Sequence, residues 1–266
     1  MLTKHNRPLH VLITRPEPKG RVLAQHLQTL GIASTCQSFF NYQATSLPHP
    51  IAKAVPDIII FVSIAAVHYA QSNVEIHQWL QPESPHIICA VGQATQQALS
   101  SITKKTIHCP EIQTSEGLLT LSVLQKVENK CISIVRGNGG REYLATILSD
   151  RRAKVQYVET YTRNWHKIDN KIIKQWQATK INCIVITSND LLDKVSTLIN
   201  SNTGMNTDKI NSYWFNECTW LVASDRIERS ARALGITKII NCHGASDNAI
   251  SQTLIHLNKQ HSRKSI

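Results

Sequence analysis

A series of short turns in this chain carries the residue types that hold anions: Thr14-Arg15, Ser63-Ile64, Gly92-Gln93, Thr114-Ser115-Glu116-Gly117, Arg136-Gly137-Asn138-Gly139-Gly140-Arg141, Thr187-Ser188 and Ser224-Asp225. Each stands between an apolar run and an amphipathic one. Each would therefore offer unpaired backbone N–H groups and the positive end of a helix dipole, a combination suited to carboxylates. Taken singly, such a turn reads first as a Ser or Thr helix cap; the set points to a ligand with many negative groups. The Arg136–Arg141 stretch resembles a phosphate loop. It lacks the Lys-Ser/Thr of a Walker motif and its spacing is not GxGxxG, which argues against a nucleotide site.

The elements that must position these turns follow from the hydrophobic pattern. Short β-branched runs predict strands near 9–13, 57–62, 86–91, 131–135, 183–187, 219–223 and 237–241, separated by amphipathic stretches, the pattern of a parallel sheet with crossover helices. One helix is predicted after Pro16-Glu17-Pro18, with Val22, Leu23, Leu27 and Leu30 at helical spacing and Gly31 as its left-handed end. Another follows Ser224-Asp225, with Ile227, Ala231 and Leu234 on one face and Gly235 as its stop. Open parallel sheets bind ligands beyond the carboxyl ends of their strands, where these turns lie.

A weak internal echo, strand to polar or glycine turn to helix, relates Phe61–Val67 and Cys89–Thr95 to Val185–Leu191 and Val222–Arg226. It predicts two similar α/β domains with parallel sheets flanked by helices. The extended aromatic segments 38–43 and 155–163 are expected to pair as a two-stranded β-ladder hinge at which the chain crosses twice. The expected division is 1–37 with 166–258, then 45–156, with 38–44 and 157–165 as linker strands and 259–266 as a basic tail. The stretch 200–211, rich in Asn, Ser and Thr, reads as a loop.

Composition narrows the functional classes. At 266 residues the chain suits two domains, and its longest apolar run, Ile58–Val62, falls far short of the roughly 20 residues of a membrane span. Residues 1–8 do not look like a secretory signal, so a cytoplasmic location is expected. The seven cysteines form no CxxC pair and read as buried thiols, with no disulfide framework and no metal site. The formal charge of +11 suits a polyanionic partner. The cations are dispersed and no nucleic-acid motif is present, so a small polycarboxylate is favoured over nucleic acid.

Together the motifs resemble the uroporphyrinogen-III synthase family. The pieces are Ile13-Thr14-Arg15-Pro16, Phe61-x-Ser63-x-x-Ala66-Val67, Ala90-Val91-Gly92-x-x-Thr95, Ser115-Glu116-Gly117-Leu118-Leu119, Arg136-Gly137-x-Gly139-Gly140-Arg141, Tyr161-x-Arg163, Thr187-Ser188 and Ala223-Ser224-x-Arg226, in the family's order. The resemblance implies a two-domain enzyme, monomeric and without cofactor or metal, that binds hydroxymethylbilane in an interdomain cleft. Handover from hydroxymethylbilane synthase is the partner contact it would allow. It implies a lyase that closes the tetrapyrrole with loss of water and inversion of ring D, with many carboxylate contacts made by backbone N–H groups.

By the same resemblance Tyr161 is the candidate catalytic residue, helping the hydroxyl leave; its other reading is a tyrosine that packs the linker. Ser63 and Thr95 would bind carboxylates, with Ser115, Thr187 and Ser224 behind them. Thr14, Arg15, Ile64, Gly92, Glu116, Gly117, Gly137 and Ser188 complete the implied substrate-binding set, and Arg136 and Arg141 would add charge unless paired structurally. Val62 and Ala65 depart from the family's usual Thr and Asn, removing two polar side chains from the Ser63 turn. A non-catalytic two-lobed binding protein for an anionic small molecule stays open as the alternative reading.

Overall fold

The computed structural model describes residues 8–48, 51–140, 142–201 and 211–263. The chain divides into two compact units, one of Met1–Asn41 with Trp165–Ile266 and one of Tyr42–Asn164.

The first unit is built on a five-stranded parallel sheet of β1 (His10–Ile13), β2 (Ala33–Cys36), β9 (Cys183–Ile186), β10 (Thr219–Val222) and β11 (Ile239–Asn241), in the order β11-β10-β9-β1-β2. Helices cover both faces of such a sheet, so its central strands must be apolar throughout. Val11–Ile13, Cys183–Ile186 and Trp220–Val222 are accordingly all buried. Around the sheet lie α1 (Lys19–Thr29), α7 (Lys171–Ala178), α8 (Asn189–Asn200), α9 (Asp225–Ala233) and α10 (Asp247–Arg263). Trp176 of α7, Trp214 of a π-helical turn (Tyr213–Glu217) and Trp220 of β10 are fully buried. The Trp220 indole N–H donates to the Trp214 carbonyl at 2.8 Å.

Helix α1 spans most of its predicted range, and Gly31 sits beyond it at φ +71, a left-handed conformation that costs other residues steric strain. Inside the helix, Gly20 is required by close approach. A Cβ there would lie 2.6 Å from the Arg15 carbonyl oxygen and 2.7 Å from Cys36 Sγ. Helix α10 runs to Arg263, into the segment read as a basic tail, because Ile250, Leu254 and Leu257 bury one face and carry the helix past Lys259. Residues 264–266 lie outside the described residues, as does 202–210, most of the segment read as a loop.

The second unit has a six-stranded sheet, β3-β8-β7-β4-β5-β6, made of β3 (Phe40–Ala44), β4 (Ile58–Phe61), β5 (Ile87–Ala90), β6 (Ile107–His108), β7 (Cys131–Gly137) and β8 (Lys154–Trp165). Alternate residues of β4 feed two separate cores. Ile59 and Phe61 pack with Ile88, Val135 and Val158 beneath α2 (Ile64–Ala70) and α4 (Gln93–Ser100). Ile58 and Ile60 pack with Ile132, Ile134, Leu144 and Leu148, the last two on α6 (Tyr143–Asp150). Helices α3 (Val74–Trp79) and α5 (Ser115–Leu118) complete the unit.

The two aromatic segments do become neighbouring strands. Thr45 N–H donates to the Thr160 carbonyl at 3.0 Å, and the Asn164 amide to Gln43 Oε1 at 2.5 Å. They are not a free-standing two-stranded ladder, however: β8 also pairs in parallel with β7 from Lys154 to Tyr161, so β3 is the edge of one larger sheet. Pairing with the apolar β7 on its other side is what recruits β8, since Val158 and Tyr161 then gain a core to enter.

Gly20→Ala should lower stability by about 1–3 kcal/mol through overpacking against the Arg15 backbone, read as an earlier midpoint in urea unfolding. An unchanged midpoint would contradict the close packing of α1 on the turn after β1.

Candidate functional site

The anion-suited turns all stand where a strand hands over to a helix, and most share one local device. Ser63, Thr114, Ser188 and Ser224 are N-cap residues with extended backbone. Their side-chain oxygens accept from the N–H groups of Ala66 (3.0 Å), Gly117 (3.1 Å), Leu191 (3.3 Å) and Ile227 (3.4 Å). Gly92 has the same extended backbone at the start of α4 but no side chain to cap with. In the capped helices the side chain satisfies one N–H and leaves the two before it with no carbonyl of their own helix to bond; at α4 the Thr95 N–H donates to the Gly92 carbonyl at 3.0 Å. The dipole adds a positive potential at the same place.

Several residues singled out by sequence have other employment. Thr14 is fully buried, and its hydroxyl donates to the Val185 carbonyl at 2.6 Å, tying β1 to β9. Arg15 forms a close ion pair with Asp247 in the first turn of α10. Thr95 is buried on the core side of α4. Ser115 and Glu116 open α5, but the cap is Thr114, one residue earlier in the same quoted turn. Gly117 is packed against the Ile112 carbonyl and has no room for a Cβ. At Gly92 the Gln113 carboxamide covers the turn, its Oε1 accepting from Gln93 N–H at 3.2 Å. Thr187 directly precedes the Ser188 cap, and Ile64 is a partly exposed apolar residue at the start of α2. Arg141 lies outside the described residues.

Tyr161 is the centre of a cluster that brings together Ser63 and Gly137 of the residues named from the sequence. Between Arg136↔Glu159 and Gly137↔Tyr161 the β7–β8 register shifts, leaving Thr160 as the extra residue of a bulge. Side chains alternate along a strand, so without the shift Val158 and Tyr161 would point to opposite faces. With it, both enter the core beneath α2. The Tyr161 ring lies flat against Gly137, where a Cβ would come within 2.3 Å of it. Tyr42 meets it edge-on at 5.0 Å between centroids and Tyr69 packs at 5.5 Å. Tyr161 is only 3% exposed, and its hydroxyl lies 3.3 Å from the oxygen of the Ser63 cap. Tyr42 lay within the aromatic segment that drew attention in the sequence. Nothing in the sequence marked Tyr69.

Arg136 is buried and structurally paired. Its guanidinium donates to Glu142 at 3.0 Å and to the Gly137 carbonyl at 3.1 Å, and stacks 4.3 Å over the Tyr157 ring. Glu142 also accepts a short hydrogen bond from the Tyr157 hydroxyl. That bond first, then Arg136, holds the Glu142 carboxyl below the usual range, while burial and Glu142 push Tyr157 up to about 12. This network braces the loop after β7 and leaves Arg136 without a free charge for a ligand. A depression of about 430 Å³ lined by Leu47, Ile51, Val74 and Glu75 shares no residue with the Tyr161 cluster. Among the described residues no group of His, Cys, Asp and Glu is placed to hold a metal ion, and no helix is long and apolar enough to cross a membrane.

A family model described as uroporphyrinogen-III synthase HemD matches residues 21–252. The uroporphyrinogen-III synthase of Escherichia coli strain K12 is 30% identical over 253 residues, covering 92% of this chain and 100% of that protein. The Proteus mirabilis enzyme of the same name is 37% identical over 163 residues, 58% of this chain and 80% of its own. Among solved structures, a mutant uroporphyrinogen III synthase from the extremely thermophilic bacterium Thermus thermophilus superposes with a TM-score of 0.63 at 11% identity, covering 95% of this chain and 99% of that one. The uroporphyrinogen-III synthetase of Helicobacter pylori 26695 gives 0.56 at 12% identity, covering 94% and 100%. At that identity these two structures speak for the fold.

Two outcomes follow from the geometry. Gly137→Ala should displace the Tyr161 ring and lower the urea midpoint, by about 1–3 kcal/mol of overpacking; a parent-like midpoint would contradict the flat seat. Glu142→Gln should lower the melting temperature at neutral pH. A depressed carboxyl contributes stability above its unfolded pKa and loses it as pH falls through the folded one, so the gap should close below the ordinary carboxylate range. A gap constant from pH 7 to pH 3 would contradict the assigned pairing.

Proposed function

The chain belongs to the uroporphyrinogen-III synthase family, and we propose that it performs the family's reaction with backbone amides as its main carboxylate ligands. The enzyme closes hydroxymethylbilane, with loss of water and inversion of ring D, to uroporphyrinogen III in heme biosynthesis. On this reading the amides at the starts of α2, α4, α8 and α9 receive the acetate and propionate groups. Ser63, Ser188 and Ser224 set the backbone of three of those turns. Thr14, Arg15, Arg136 and Thr95 then act by fixing the turns, since each is buried or already bonded.

Chemically, the hydroxyl on ring A departs as water and leaves an azafulvene cation. Ring D attacks it at a carbon already substituted, giving a spiro intermediate that fragments and recloses with the ring inverted. Unassisted closure favours the uninverted product, so holding the two termini in one geometry is most of the catalytic task. We assign Tyr161 to assisting departure of the hydroxyl. The observation that carries this is the placement of its hydroxyl on the Ser63 cap, at the end of β4 where the α2 amides lie.

The same proposal includes a monomer that receives its substrate from hydroxymethylbilane synthase, both taken from the family resemblance alone. It includes work in the cytoplasm, which seven unpaired thiols suit. We also take 38–44 and 157–165 as the segments that connect two substrate-binding domains.

Purified protein incubated with freshly generated hydroxymethylbilane, without added metal or cofactor, should give mainly the type III porphyrin after oxidation and chromatographic separation. Type I alone, at the protein-free rate, would overturn the reading. Tyr161→Phe should lower kcat by about 100-fold or more if the phenol assists departure of the hydroxyl.

A further inference from the structure

We propose that Ser63 is a proton relay between the buried Tyr161 phenol and the departing hydroxyl of the substrate; this rests on the assignment of Tyr161 above. Tyr161 is almost wholly enclosed by Gly137, Tyr42 and Tyr69, and these neighbours meet its ring. Its hydroxyl has one hydrogen-bond partner among the described residues, Ser63 Oγ at 3.3 Å. That neighbour is the hydrogen-bonded path by which a phenol so enclosed meets a substrate.

Ser63 has the bonding capacity for the task. A serine hydroxyl has two acceptor sites and one proton to give. Ala66 N–H takes one acceptor site at 3.0 Å, and the relay has the Tyr161 hydroxyl donate to the other across the 3.3 Å contact, in which either oxygen can be the donor. In that arrangement the Ser63 proton is free for an acceptor outside the half-buried turn, such as a departing hydroxyl. The 3.3 Å separation is long for two hydroxyls, and such contacts tighten when a reacting group arrives.

The step balances. The C–O bond of the hydroxymethyl group breaks with its electron pair on oxygen, and the oxygen takes the Ser63 proton to leave as water. Ser63 takes the Tyr161 proton in the same movement, while the pyrrole nitrogen lone pair stabilises the cation left behind. When the ring closes, the ring D carbon that forms the last bond gives up its proton, and the phenolate recovers one through Ser63. Both side chains end as they began.

The test compares Ser63→Asn, Ser63→Thr and Tyr161→Phe under single turnover, with rates followed across mixtures of H₂O and D₂O. Asn caps a helix as well as Ser but has no hydroxyl to pass a proton, whereas Thr keeps both functions. The relay predicts that Ser63→Asn loses kcat on the order of 100-fold with KM within a few-fold. The double variant should be no slower than either single one, and Ser63→Thr should keep most activity. In the unmodified enzyme the rate should curve with D₂O fraction, as two protons move together. Parent-like kcat in Ser63→Asn, a rise in KM alone, or a linear D₂O dependence would overturn the relay and leave Tyr161 as the acid. Parent-like turnover in Tyr161→Phe would overturn both. The D₂O profile needs no variant, so a misfolded Ser63→Asn does not remove the test.

Discussion

A helix that begins directly after a buried parallel strand starts with N–H groups that its own carbonyls cannot reach. In this chain the problem is solved the same way again and again. An extended Ser or Thr spends its side chain on the third N–H and leaves the earlier ones facing out. Because the paired strands of each sheet's parallel portion run in one direction, their helix starts collect along one edge of that sheet. The result is a row of positive backbone ends that needs no charged side chain. Such a surface suits the polycarboxylate proposed above, and the excess of cations would raise its local concentration without specifying where it binds.

Tyr161 follows a different logic, in which one backbone irregularity places one side chain. The bulge at Thr160 turns Tyr161 to the face it shares with Val158, and the missing Cβ of Gly137 gives the ring its seat. Arg136, the residue before that glycine, is held by Glu142, Glu159 and Tyr157, so the strand carrying the seat is braced from its other neighbours. The rigidity matters for a reaction whose difficulty is geometric. A phenol that moved by even an ångström would lose its contact with the Ser63 oxygen.

Much of the architecture was legible in the sequence because parallel strands buried on both faces read as unbroken apolar runs. Ile58–Phe61 and Cys183–Ile186 are plain examples. Helix α1 announced itself through Leu23 and Leu27 and through Gly31 beyond its end. The capping role of Ser63, Ser188 and Ser224 was equally legible, being a local matter. Strand β2, Ala-Ser-Thr-Cys at a sheet edge, has no apolar signal to give. What depends on distant partners was also hidden. Arg15 finds Asp247 at a separation of 232 positions, the bulge at Thr160 exists only against β7, and Tyr69 approaches Tyr161 only once α2 lies on the sheet. Charge and hydroxyl content show which groups are present and not which are already bonded, so the pairings of Thr14, Arg15 and Arg136 were out of reach of the sequence.

The central claim, that backbone amides at the helix starts hold the carboxylates, is tested most directly by following assigned backbone ¹H–¹⁵N resonances while uroporphyrinogen III is added under anaerobic conditions. The account predicts that the largest saturable shifts fall on the uncapped first-turn amides at 64–65, 94, 189–190 and 225–226. Saturable shifts confined to other parts of the chain, with these amides unmoved, would contradict it.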